Sequence, residues 1–198
     1  MSTLKGTLVI AAAVSLAGLA LAANEPPQMT PEQKAEMEAY TKAGTPGPQH
    51  QMLATTTGTF AVKTKSWQDP KGPAIEDSGK ATRTMALDGR VLVEDLTATM
   101  MGTPFTGHAM TGYDNVSGKY WSTWNDSGST GIAVAYGTCD AKNSCSFIGS
   151  WNDPVKKGPV KSRMTTRWTN ATTEIFEMYG PDKTGKEMKM LEMVYTKM

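Results

Sequence analysis

The chain has 198 residues, 20 Lys plus Arg against 19 Asp plus Glu, and a formal net charge of +1. That length suits one ordinary domain, and the balanced charge gives no electrostatic footing for nucleic acid or an anionic membrane surface. With 39% hydrophobic and 20% charged residues, the composition is that of a folded chain and excludes a disordered one.

Residues 1–22 carry the pattern of a signal peptide. One positive charge, Lys5, precedes an apolar run at 7–21, and Ala20-Leu21-Ala22 is an A-x-A cleavage site. Cleavage there predicts a periplasmic or secreted protein that begins at Ala23 and has no stable membrane insertion. Residues 23–29 are a Pro-containing linker. A helix is predicted over 30–44, with Thr30 as N-cap, Pro31 at the first helical position, Gln33 completing a capping box and Gly44 as the stop. Thr45-Pro46-Gly47-Pro48 breaks any continuation.

Residues 50–198 read as one β-barrel domain. Strands are predicted over 58–67, 79–87, 90–100, 105–113, 119–125, 131–139, 145–152, 160–169, 172–179 and 187–197. Turn residues separate them, among them Asp88-Gly89, Met101-Gly102-Thr103-Pro104, Asn170-Ala171 and the 180–185 segment. About ten short strands at this spacing, with no βαβ pattern, argue for an all-β protein built as a single antiparallel barrel after a short N-terminal helix.

The first informative hairpin turns at Asp88-Gly89, a type I′ signal. If Leu87 faces Arg90, then 86 faces 91, 85 faces 92 and 83 faces 94. Leu87, Met85, Leu92, Leu96 and Ala81 fall on one face, and Thr84, Thr82, Asp95, Thr97, Lys80, Val91 and Val93 on the other. The drier first face is expected inward. Arg83 and Glu94 are then directly opposed on that inward face. Charges of this kind are seldom buried without partners, and here each satisfies the other. They are read either as a cross-strand ion pair near the rim or as a polar anchor for a ligand head group.

Cys139 and Cys145 flank five residues of a second hairpin and are expected to form a structural disulfide in an oxidising compartment. Trp124 and Trp168 are expected inward, and Arg163 and Arg167 in solvent. No nucleophile elbow, phosphate-binding loop, zinc-helix motif or dinucleotide fingerprint occurs, so no catalytic residue is assigned and the chain is read as a non-enzyme with no cofactor. Copper through Met100, Met101, Met188, Met190 and Met193 is a weaker alternative. Simple alternation places Met188 and Met190 on the face opposite Leu191, Met193 and Tyr195, which argues against one compact metal site.

The runs Gly112-Tyr113-Asp114-Asn115, Lys119-Tyr120, Ser122-Thr123-Trp124, Asp126-Ser127 and Ser129-Thr130-Gly131-Ile132 form an ordered set. They are joined by Thr45-Pro46-Gly47-Pro48, His50, Leu53, Gly58-Thr59-Phe60 and Phe176-Glu177-Met178-Tyr179. Together they resemble, over residues 29–197, the exported bacterial proteins called domain of unknown function 1579. The resemblance implies a calycin-like barrel, the superfamily of lipocalins, fatty-acid-binding proteins and nitrobindins. Gly58-x-Phe60 resembles the lipocalin Gly-x-Trp signature with Phe for Trp. It implies no ligand, reaction or functional residue. Nitrobindin-like barrels hold haem through one His, so His108 is the candidate for a haem alternative.

These readings converge on a carrier of a small hydrophobic or amphipathic ligand. Its site is expected to comprise Arg83, Met85, Leu92, Glu94, Leu96, Trp124 and Trp168. The competing reading is a structural or interaction module whose barrel is filled by its own side chains. Ligand identity and oligomeric state are not legible.

Overall fold

The computed structural model describes residues 28–198. The expected signal peptide at 1–22 and most of the linker at 23–29 lie outside the described residues. Two compact units are distinguished, one ending at Met37 and one comprising Glu38–Met198.

Helix α1 spans Pro31–Gly44. Its start is the expected capping box: Gln33 N–H donates to Thr30 Oγ1 at 3.3 Å, and Thr30 N–H to Gln33 Oε1 at 2.9 Å. Its end is fastened to two barrel turns. Arg90 Nε donates to Gly44 O at 3.0 Å, and Asn115 Nδ2 donates to Ala43 O and Thr45 O at 2.9 and 2.8 Å.

A second helix, α2 at Pro48–Ala54, occupies a segment that the sequence reading left to the barrel domain. Pro48 does stop α1, but it also sits at the first helical position of α2, where a missing N–H costs nothing. Gly47 N–H donates to His50 Nδ1 at 3.0 Å. Leu53 enters a core with Leu92, Tyr120, Ala135 and Phe147. Three of those partners stand at the starts of strands, so α2 plugs one end of the barrel.

Ten strands follow: β1 Gly58–Ser66, β2 Ile75–Ala86, β3 Val91–Met100, β4 Thr103–Asp114, β5 Lys119–Asp126, β6 Ala133–Cys139, β7 Cys145–Asp153, β8 Gly158–Trp168, β9 Thr173–Pro181 and β10 Glu187–Lys197. Each pairs antiparallel with the next, and β1 pairs with β10 to close the barrel. Closure leaves no sheet edge to pair with another chain. The all-β antiparallel barrel of the sequence reading is therefore the observed architecture.

Register in the first hairpin is as expected, with Arg83 opposite Glu94, Met85 opposite Leu92 and Ala86 opposite Val91. Leu87 departs from expectation. It has φ of +51°, immediately before Asp88 at +52° and Gly89 at +82°, and it is 70% exposed. Asp88-Gly89 stands at the corner, but a left-handed Leu87 has already left the strand and its in-out alternation. The loop is therefore the four residues 87–90, with Arg90 N–H donating to Ala86 O at 3.1 Å and to Leu87 O at 3.3 Å, and not the expected two. On the outer face Thr84 is exposed, whereas Val93 is half-buried and Val91 is buried.

A bulge interrupts β10. Lys189 pairs with Tyr179 but Leu191 pairs with Met178, leaving Met190 as the extra residue. Met188 therefore pairs with Gly180, on the same face as Met178, and comes to the face of Leu191. This corrects the simple alternation expected for the last strand.

Cys139 and Cys145 are paired in register and disulfide-bonded, with Cα atoms 4.0 Å apart. Closing so short a loop removes little chain entropy, about 2 kcal/mol. The double variant Cys139→Ser, Cys145→Ser is expected to keep its β-sheet circular-dichroism signal and to lose about 2 kcal/mol in urea unfolding. Loss of the folded signal would show that the hairpin needs the bond to form.

Candidate binding site in the barrel interior

Alternation along β2 and β3 sends Ala81, Arg83, Leu92, Glu94 and Leu96 inward, and all five are buried. Arg83 Nε donates to Glu94 Oε2 at 2.5 Å. A second carboxylate arrives from β9, where Glu174 Oε2 accepts from Arg83 Nη1, also at 2.5 Å. Tyr195 on β10 donates its hydroxyl to Glu94 Oε1 at 3.1 Å. The guanidinium carbon lies 4.4 Å from the Tyr195 ring centre and 4.9 Å from that of Phe60. The expected pair is thus a four-residue cluster drawn from β2, β3, β9 and β10, with Phe60 of β1 against it.

Burial works to lower the pKa of Arg83, but the charges of Glu94 and Glu174 outweigh it and hold the guanidinium above its ordinary range. Burial pushes the Tyr195 hydroxyl well above the usual phenol value, and the negative charge of Glu94 pushes the same way.

The cluster forms part of the wall of a cavity of about 490 Å³. The cavity reaches from Leu53 and Thr56 beside α2 to Asp77 and Met100 near the β3–β4 turn. Its apolar wall includes Leu92, Leu96, Trp124, Phe147, Trp168, Phe176 and Met193. Trp124 stacks on Phe105 with ring centres 6.5 Å apart, and Trp168 tilts against Phe60 at 6.3 Å. The Trp124 ring lies across Gly107, where a Cβ would stand 2.2 Å from its edge. Only a glycine admits the indole so close to the wall.

Of the residues singled out from sequence, Arg83, Leu92, Glu94, Leu96, Trp124 and Trp168 all line this cavity. Met85 does not. It shares their face but packs, half-buried, against the core that Leu53 enters beneath α2. Glu174 and Tyr195 were not assigned to a site from sequence. Glu174 was hidden because both faces of its strand mix a carboxylate with apolar residues: Glu174, Phe176 and Met178 on one, Ile175, Glu177 and Tyr179 on the other.

Two further carboxylates reach the cavity. Asp77 accepts from Thr99 Oγ1 at 3.0 Å and from the N–H groups of Met101 and Gly102 at 2.9 and 3.4 Å. The Met101 bond leads the interactions that hold its carboxyl below the ordinary range. Asp126 accepts from Trp124 Nε1 at 2.8 Å and from Gly128 N–H at 2.9 Å.

His108 is exposed on the outer face, with Nδ1 2.8 Å from Asp95 Oδ1, and so supplies no ligand to the interior. The haem alternative loses its axial histidine. The methionines considered for copper are dispersed: Met193 is in the buried core, while Met100 and Met101 are exposed at the β3–β4 turn. Among the described residues no group of three or more His, Cys, Asp or Glu is arranged around a metal ion. Arg167 is exposed as expected, whereas Arg163 is half-buried on the outer face, 4.0 Å over Tyr179 and bridged to Glu187.

The family described as "Protein of unknown function (DUF1579)" matches residues 45–197, from just before α2 to the end of β10. The chain belongs to this DUF1579 family. No curated protein matches it. Family membership therefore spans the whole barrel and its α2 plug, while the meaning of the interior rests on its own geometry.

Removing Arg83 alone strands two buried carboxylates. Arg83→Met is expected to cost about 3–5 kcal/mol in chemical unfolding, and most of that should return in the triple variant Arg83→Met, Glu94→Leu, Glu174→Leu. A triple variant no more stable than the single one would show that the ions are not coupled.

Tyr195 sets an alkaline limit. Below about pH 10 both folded and unfolded chains keep its proton, and its contribution to stability is whole. Above that the unfolded chain releases the proton while the fold retains it, so stability falls by about 1.4 kcal/mol per pH unit. Tyr195→Phe is expected to remove that slope from the unfolding free energy between about pH 10 and 11. Coincident slopes would mean that the hydroxyl ionises freely in the fold.

Proposed function

We propose that this DUF1579 protein binds and carries one small apolar or amphipathic molecule inside its barrel, without transforming it. The observation that carries the reading is the cavity of about 490 Å³, apolar over most of its wall and polar at the Arg83 cluster. Small-molecule sites of about 300–1,000 Å³ have this make-up, with a few placed polar groups fixing orientation. A barrel filled by its own side chains would lack that space. The signal-peptide pattern at 1–22 and the Cys139–Cys145 disulfide both support work outside the cytoplasm.

Nothing in the interior supports turnover. The cluster's hydroxyl, Tyr195, is held protonated by burial, and its guanidinium is held by two carboxylates. The Thr99 hydroxyl does stand on the Asp77 carboxylate, but Asp77 also accepts from the Met101 and Gly102 N–H groups, which hold it below the ordinary carboxylate range and make it a poor base. The chemistry available is recognition of one polar end within an apolar chamber.

Native mass spectrometry of protein purified from its natural host is expected to show a small molecule bound at one per chain. A blocking variant supplies the second arm. Ala109 lies between Glu94 and Trp124 across the strands and lines the cavity. Ala109→Phe should weaken binding of the neutral dye Nile red about tenfold or more while costing only about 1–3 kcal/mol of stability. A consistently empty protein, with Nile red binding indifferent to Ala109→Phe, would sink the carrier reading.

A further inference from the structure

The charges around the cavity say which kind of molecule it accepts. Its charged lining consists of one cation, Arg83, and four carboxylates, Asp77, Glu94, Asp126 and Glu174. Arg83 is itself committed, with Nε on Glu94 and Nη1 on Glu174 and aromatic rings over its plane. The buried cluster thus has two carboxylates for one guanidinium, and it formally lacks one positive charge. Buried charge left unbalanced is costly, so such a site draws a cation and repels an anion.

The cluster's hydrogen bonds also leave an acceptor for such a cation. Of the four carboxylate oxygens on Glu94 and Glu174, Arg83 and Tyr195 serve three. The fourth, Oε1 of Glu174, receives none of these bonds, although Glu174 is only 5% exposed and lines the cavity. Asn143 Oδ1 is a buried acceptor without a donor, and Asn143 lines the same cavity. A ligand carboxylate at the guanidinium would meet the three N–H donors outside these two bonds, one on Nη1 and two on Nη2, but would put a third carboxylate on one guanidinium.

Resting on the carrier reading above, we propose that the ligand is an amphipathic amine, its ammonium group donating to Glu174 Oε1 and its apolar body lying along Leu96, Trp124 and Trp168. The ammonium supplies the missing positive charge and a donor for the open acceptor at once. The site selects against fatty-acid carboxylates, the cargo that a barrel with a buried arginine would suggest at first sight.

The test compares three probes with one chain and three heads, decylamine, decanol and decanoate, in displacement of Nile red near neutral pH. Decylamine is expected to bind about tenfold more tightly than decanol and about a hundredfold more tightly than decanoate. Glu174→Gln leaves Arg83 and Glu94 as a balanced pair, and should erase the tenfold preference for decylamine over decanol. Continued binding of Nile red by the variant reports that the chamber has survived the substitution. Decanoate binding as well as decylamine, or amine and alcohol binding alike, overturns the inference and leaves the carrier reading standing. Retention of the amine preference in Glu174→Gln overturns the assignment of the head group. If none of the three displaces the dye, the carrier reading itself fails. The wild-type ranking decides the matter even if the variant does not fold.

Discussion

A guanidinium inside a barrel has to be matched where it stands, because even after relaxation a buried lone ion costs several kcal/mol. Arg83 is matched by Glu94 across the first hairpin, by Glu174 from β9, and by the rings of Phe60 and Tyr195. These partners come from the beginning and the end of the chain. The sheet closes where β1 meets β10, and Phe60 on one lies edge-on to Tyr195 on the other with ring centres 6.1 Å apart. One charge therefore joins strands whose pairing closes the longest loop in the domain. Such closure is slow, since its entropy is lost before any contact offsets it.

The same cluster shapes the interior. An apolar replacement of like volume could close the seam as well, and buried ion groups are often no more stabilising than such replacements. What the ions add is direction. They place acceptors on one wall of a chamber whose other walls are Trp124, Trp168, Leu96 and Phe176. The end near α2 is sealed by Leu53 among Leu92, Tyr120 and Phe147, with the Cys139–Cys145 bond joining the hairpin nearby. Apolar packing is thus concentrated at the plugged end and around the seam, and space remains between them.

How much of this the sequence discloses follows from which local signals are unambiguous. Asp88-Gly89 marks a corner, and centring the hairpin on it puts Arg83 opposite Glu94 and turns Leu92 and Leu96 inward. Cys139 and Cys145 are legible for the same reason, because a short turn leaves one pairing. Leu87 is misread because a leucine with positive φ carries no mark in its side chain. The β10 bulge is invisible because Met190, its extra residue, resembles its neighbours. Helix α2 is missed because Pro48 both ends one helix and begins the next. Glu174 is the costliest omission. Period-two reasoning cannot choose between two faces that each hold one carboxylate, and the decision is made by Arg83, 91 residues away. Long-range charge matching is settled only when the barrel closes.

Seam and chamber share their residues, and this limits how the site can change. Glu94 serves the guanidinium with one oxygen and the Tyr195 hydroxyl with the other, so it cannot turn toward a ligand without loosening β3 from β10. Tyr195 is buried and held protonated, which keeps it a donor to Glu94 and withholds it as an anion. Glu174 differs, since its bond to Arg83 uses one oxygen and leaves the other uncommitted by the cluster. Altering Glu94 or Tyr195 would therefore move stability and binding together. Altering Glu174 to a neutral isostere changes the charge of the chamber while Arg83 retains a full partner in Glu94. Among the four residues of the cluster, Glu174 is the position where recognition can be separated from closure.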